Sequence, residues 1–150
     1  MLIGDGARLA AVAAGELKQA GDALPSIIGP ELWSGESALA GTPAMRGAWF
    51  SSVSDSRYQQ FSDSYEKRFG AQPYRIATLG YDAVLLALRV ARDWRVGRDF
   101  PVSELSNPGG FLGIDGPFRF GDNGVGERAM EVRQVGNGSV SVIDAAPRQF

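Results

Sequence analysis

The chain has 150 residues, with 15 Lys and Arg against 17 Asp and Glu, for a formal net charge of −2. That near balance creates no global field toward nucleic acid or an anionic membrane, so partners have to be argued from local sites. Neither Cys nor His occurs, which removes thiol nucleophiles, Ser-His-Asp triads, imidazole proton shuttles and the usual zinc centres. No metal site, cofactor or nucleic-acid partner is expected.

Met1-Leu2-Ile3 reads as the end of a buried strand. A strand usually has about five or six residues, so the chain is expected to begin inside one and to be a piece of something longer. No basic and apolar leader is present, and any signal or lipoprotein anchor is expected upstream. Gly4-Asp5-Gly6 is the turn into an Ala-rich helix over residues 7–20. Leu9, Val12, Ala13, Leu17 and Ala20 fall at helical spacing as its buried face, and Gly21-Asp22 stops it. Pro25 opens the short apolar run Ser26-Ile27-Ile28-Gly29, a second buried strand. Strand, helix, strand suggests a βαβ unit.

Residues 30–43 are loop-like, with Trp33 among Gly, Ser and Pro, and residues 46–53 have the β-branched and aromatic character of a third strand. Asp55 or Ser56 caps a helix that runs to Phe69, with Tyr58, Phe61, Tyr65 and Phe69 on one face. After Gly70 and Pro73, a long helix over 74–94 carries a small, apolar packing line: Ile76, Gly80, Ala83, Ala87, Val90 and Trp94. Arg89, Arg92, Arg95 and Arg98 drift around that helix as a solvated face rather than forming a basic patch. Residues 97–116 read as a loop. Beyond it the period turns to alternation, and Phe118 with Phe120, Met130 to Val135, and Val140 with Val142 read as three short strands. Asn137-Gly138 signals a type I′ hairpin.

Several phrases stand in a telling order: Leu17-Lys18-Gln19-Ala20-Gly21, Ile28-Gly29-Pro30-Glu31 and Gly47-Ala48-Trp49-Phe50, then Phe61, Tyr65, Phe69-Gly70 and Pro73. Gly80-Tyr81-Asp82-Ala83 follows, and then Gly113-Ile114-Asp115-Gly116-Pro117-Phe118-Arg119-Phe120 leading to Gly124. Together they resemble the leucine/isoleucine/valine-type periplasmic solute-binding proteins, the receptors of ABC importers, over nearly the whole chain. The resemblance implies an α/β fold of Rossmann-like lobes, periplasmic-binding-protein-like (type I) but partial, with a C-terminal antiparallel ribbon. Two lobes of this kind close on ligand like a hinge. Residues 1–53 would belong to the second lobe, 54–115 would be helices of the first, and 116–150 would be hinge-proximal strands. The helices at 55–94 would then lack the sheet they normally cover, so the chain is expected either to pair with a second copy or to rearrange.

Ligand contacts in open α/β sheets come from loops at strand C-terminal ends. Two loops qualify here. Gly4, Asp5 and Gly6 offer amides and a helix N-terminus to a carboxylate; the competing reading is a tight strand-to-helix turn. Their Gly-x-Gly also resembles a dinucleotide fingerprint, but the third Gly and the later acid are missing. Glu31 matches by position the acid that meets the ligand ammonium in amino-acid-binding relatives, against a solvated loop acid. Trp33 offers a stacking face, or else plugs the core. The implied function is non-enzymatic: a periplasmic receptor for a small polar ligand such as an amino acid, working with an ABC permease. The alternative is a regulatory lipoprotein of the penicillin-binding protein activator type, acting on a peptidoglycan synthase. Gly29-Pro30-Glu31-Leu32-Trp33, Gly47-Ala48-Trp49-Phe50 and the closing Ala146-Pro147-Arg148 with Phe150 resemble such activators.

Overall fold

The structure, a computed structural model, describes residues 1–21 and 26–150; Asp22 and Pro25, read above as a helix stop and a strand start, lie outside the described residues. In chain order the elements are α1 (Ala7–Gln19), β1 (Ile28–Gly29), α2 (Ser37–Gly41), β2 (Trp49–Ser52), α3 (Tyr58–Phe69) and α4 (Ala77–Val90). The strands β3 (Phe111–Gly113), β4 (Gly116–Phe120), β5 (Gly126–Arg128), β6 (Glu131–Val135) and β7 (Val140–Asp144) follow. They divide into two compact units, one of Met1–Val53 with Met130–Ala146, the other of Ser54–Ala129 with Pro147–Phe150.

In the first unit the sheet order is β1-β2-β6-β7. β1 and β2 are parallel, and Leu2 bridges Ile28 in the same sense, so three parallel segments run side by side. β6 and β7 add an antiparallel ribbon. Its turn is not type I′, because Gly138 has φ +78° while Asn137 keeps a negative φ. The core joins Ala7, Ala10 and Ala14 of α1 to Ile27, Trp33, Leu39, Met45, Phe50 and Val135. The buried face of α1 is thus rotated from the expected one: Leu9, Val12 and Leu17 are exposed. α1 lies against α2 and the 3-10 helix Pro43–Met45, and methyl side chains allow that approach while Leu and Val turn outward. Gly29 follows the same logic, since a methyl there would overlap the Trp33 ring.

In the second unit α3 ends at Gly70, whose φ of +76° lets its N–H return to the Glu66 carbonyl. Its start is Tyr58 rather than Asp55 or Ser56, with no side-chain cap. The four aromatics stack along one face as expected, with ring centroids 6.3, 6.0 and 4.5 Å apart. α4 is shorter than 74–94, and the 3-10 helix Ala91–Asp93 follows it. It also faces the other way. Thr78 and Asp82 are buried, while Ile76, Gly80, Ala83, Ala87 and Trp94 of the expected packing line are exposed; of that line Val90 alone is buried. Nor are residues 97–116 a plain loop: they hold the 3-10 helix Val102–Ser106 and β3, which pairs antiparallel with β4 through a two-residue turn, Ile114-Asp115. β5, absent from the sequence reading, completes an antiparallel sheet of order β3-β4-β5.

Candidate functional site

Because Leu2, β1 and β2 run parallel, their C-terminal ends open on one edge of the first unit's sheet. Residues 4–6, 30–34 and Ser52 emerge there. In an open α/β sheet this is the edge at which ligands are held.

The indole of Trp33 joins the first two loops, its Nε1–H donating to the Asp5 carbonyl at 2.8 Å. Its ring is 0% exposed and packs 6.0 Å from the Phe50 centroid. Trp33 therefore offers no open stacking face; it is a packing plug that sets the position of its neighbours. Glu31, two residues before it, stays exposed at the start of the 3-10 turn Glu31–Trp33. Gly4 and Asp5 are exposed and Gly6 is half-buried. Gly6 precedes the first residue of α1, and its N–H donates to Asp5 Oδ1 at 2.6 Å. One amide of the predicted carboxylate cradle is thus already engaged by an acid. With Asp5 and Glu31 both on these loops, the edge favours a cationic group such as an ammonium over an anion.

Residues that sequence reasoning passed over complete the edge. Ser34 and Ser52 place their Oγ atoms 2.9 Å apart, and Ser52 Oγ donates to the Val53 carbonyl at 3.0 Å. Glu131, paired in register with Ser52, accepts from Arg133 Nη2 at 2.6 Å, and both side chains are nearly buried. Arg133 also donates to the Val53 carbonyl at 3.3 Å. Lone serines at strand ends leave no pattern to read. The Glu131/Arg133 pair did leave one: opposite charges two apart in a strand share a face.

The sheet order, parallel segments and ribbon define an α/β fold of the type I periplasmic-binding-protein kind. Neither a protein-family profile nor a curated protein matches the sequence. Among solved structures, the chain is similar to a putative branched-chain amino acid ABC transporter protein from Rhodospirillum rubrum. They share 27% identity at TM-score 0.76, over 93% of this chain and 42% of that one. It is also similar to a leucine binding protein from Thermotoga maritima, at 23% identity and TM-score 0.64, over 97% and 43%. A third is a branched-chain amino acid transporter substrate binding protein from Streptococcus pneumoniae, solved with isoleucine, at 20% identity and TM-score 0.59, over 97% and 44%. The chain therefore spans less than half the length of each of these neighbours.

Proposed function

We propose that the chain is part of a non-enzymatic, extracytoplasmic receptor for a small amino-acid-like solute, the substrate-binding component of an ABC importer. The observation that carries the reading is the Trp33–Asp5 hydrogen bond, which fastens two loops together at the edge where such folds hold ligand. Glu31 receives the ligand ammonium, the free amides of residues 4–6 and the start of α1 receive its polar remainder, and Ser34, held by the buried Ser52 hydroxyl, supplies a hydroxyl. An ABC permease is the partner that this role requires, and the periplasm is the compartment. The resemblance of the solved neighbours to this fold supports the assignment of role.

The test is a thermal-shift panel of amino acids. A ligand at a hundred times its Kd adds about 2.7 kcal/mol to the stability of the state that binds it, and Glu31→Gln abolishes that gain. A panel without any stabilisation refutes the proposal.

One feature favours the regulatory alternative. Trp33, the one aromatic of the candidate loops that could have offered a ligand a stacking face, is fully buried, which leaves an edge suited to a protein surface. Capture of a peptidoglycan synthase by the protein, with no response to any solute, would select that reading.

A further inference from the structure

A continuous helix would spread Arg89, Arg92, Arg95 and Arg98 round its surface, but α4 ends at Val90 and the backbone turns away. After the 3-10 helix Ala91–Asp93, Trp94 is extended. Gly97, at φ +85°, then closes a turn in which the Arg98 N–H donates to the Arg95 carbonyl at 3.1 Å. The Trp94 indole N–H donates to the Arg98 carbonyl at 2.8 Å, which fastens ring and turn together. Arg89, Arg95 and Arg98 thereby line one recess of about 550 Å³, a size within the range of small-molecule sites, about 300–1,000 Å³. The Arg89 guanidinium lies 5.6 Å from the ring centroid of Phe111, which lines the same recess. All three arginines are exposed, and among the described residues none of their guanidiniums makes a hydrogen bond or an ion pair. Asp93 and Glu104 also line the recess, so three cations against two carboxylates leave a surplus of one positive charge.

We propose that this recess is a second small-molecule site, independent of the loop site in the first unit, and that it takes an aromatic monocarboxylate. The surplus selects the charge: one carboxylate balances it, whereas a dianion meets the repulsion of Asp93 and Glu104. Guanidinium is the group that matches a carboxylate and also lies well on an aromatic face. Apolar surface for the ring comes from Trp94, 42% exposed, and from Pro101 beside it in the lining.

The probe is phenylacetate, compared with neutral phenylacetamide, the dianion phenylmalonate and the non-aromatic cyclohexylacetate. The readout is the indole N–H NMR signals of the three tryptophans, with that of Trp94 assigned as the one lost in Trp94→Phe. Phenylacetate shifts the Trp94 signal saturably, while those of Trp33 and Trp49, both in the first unit, stay in place. The amide binds about tenfold more weakly or worse, having lost every charge-assisted hydrogen bond. Phenylmalonate and cyclohexylacetate each bind about twofold to fivefold more weakly. Arg95→Gln and Arg98→Gln, at exposed positions, each weaken phenylacetate about threefold to fivefold, the range of one exposed ion pair. Asp93→Asn with Glu104→Gln removes the bias against the dianion. An unmoved Trp94 signal would overturn the proposal. Equal binding of acid and amide would do the same, since an apolar dent alone would then account for it, and so would unchanged affinity in both arginine variants. The ligand series is run on the parent protein, so the test stands even if a variant fails to fold.

Discussion

Gly29 and Trp33 are coupled by contact, and a double-mutant cycle measures how tightly. A methyl at Gly29 would overlap the six-membered part of the Trp33 indole, and Trp33 has no free space around it, being wholly buried against Phe50 and the α1 alanines. Gly29 is not at a positive φ, so Gly29→Ala brings no backbone strain and its cost is overpacking alone, about 1–3 kcal/mol. Trp33→Ala empties a core site and breaks the bond to the Asp5 carbonyl. The cavity costs about 3–5 kcal/mol. The lost hydrogen bond adds about 1 kcal/mol at most, because Asp5 is exposed and water can replace the indole. In the double variant the added methyl enters the space the indole left, so the clash vanishes. The two costs should fall short of additivity by about 1 kcal/mol or more. Urea unfolding of the four proteins by far-UV circular dichroism, compared at constant m, gives the coupling. Additivity within about 0.5 kcal/mol would refute the claim that the indole is what requires glycine at position 29.

Other consequences are open to direct measurement. Asp82 has a folded-state pKa above its ordinary value, chiefly through burial, so between the two values the folded protein binds the extra proton. Its contribution to stability is therefore present at low pH and lost as pH rises from the ordinary carboxylate range through the folded value. Relative to Asp82→Asn, which keeps an acceptor for the Ile114 N–H, the parent protein should lose stability over that rise; a parallel pH dependence of the two would contradict the assignment. Arg133→Met strands the nearly buried Glu131 charge and should cost about 3–5 kcal/mol, whereas Glu131→Gln with Arg133→Met should cost much less. If the double variant is as unstable as the single one, stranded charge is not the cause. The exposed Val84 and Leu88 of α4 should drive self-association, seen as a dimer by sedimentation whose share rises with concentration. Val84→Glu with Leu88→Lys should restore a monomer at a stability cost within about 0.5 kcal/mol per exposed site. A parent protein that stays monomeric would remove the second-copy expectation.

The parts of the fold that the sequence made legible were those written as period and punctuation. The four aromatics of α3 recur at three and four, and Gly70 closes that helix at a positive φ. Ile28-Gly29 and Trp49-Phe50 carry apolar runs too short for helices, and they form strands. The candidate edge followed from the same reading, because parallel strands put residues 4–6 and 30–33 on one side. What stayed hidden was chosen by long-range contact. Ser52 and Glu131 come together through strand register across nearly eighty residues of chain, Ser52↔Glu131 in the β2–β6 pairing, and neither carries a local signal of it. Trp33 was readable as a ligand-facing ring or, the commoner role of a loop Trp, as a plug. The deciding facts were Gly29 beneath it and the Asp5 carbonyl in reach of its N–H.

α4 shows why hydropathy alone misplaced a face. A helix that is apolar nearly all round has no amphipathic stripe to orient it, so its inward side is decided by whichever hydrogen bonds must be made. The β3–β4 turn sets those demands. Ile114 presents its N–H to Asp82 at 2.8 Å, and the buried Asp115 accepts from Thr78 Oγ1 at 2.7 Å and pairs with Arg75. Thr78 and Asp82 are four apart and share one stripe, which turns Leu79, Val84 and Leu88 outward. Gly113 belongs to the same contact, since a methyl there would strike the Asp82 carboxylate. Gly80-Tyr81-Asp82-Ala83 and Gly113-Ile114-Asp115-Gly116, each unspecific as a string of letters, are thus two sides of one hydrogen-bonded joint. An acid on the helix requires a glycine on the strand, and that reciprocal requirement explains why the two phrases carry weight when they occur together.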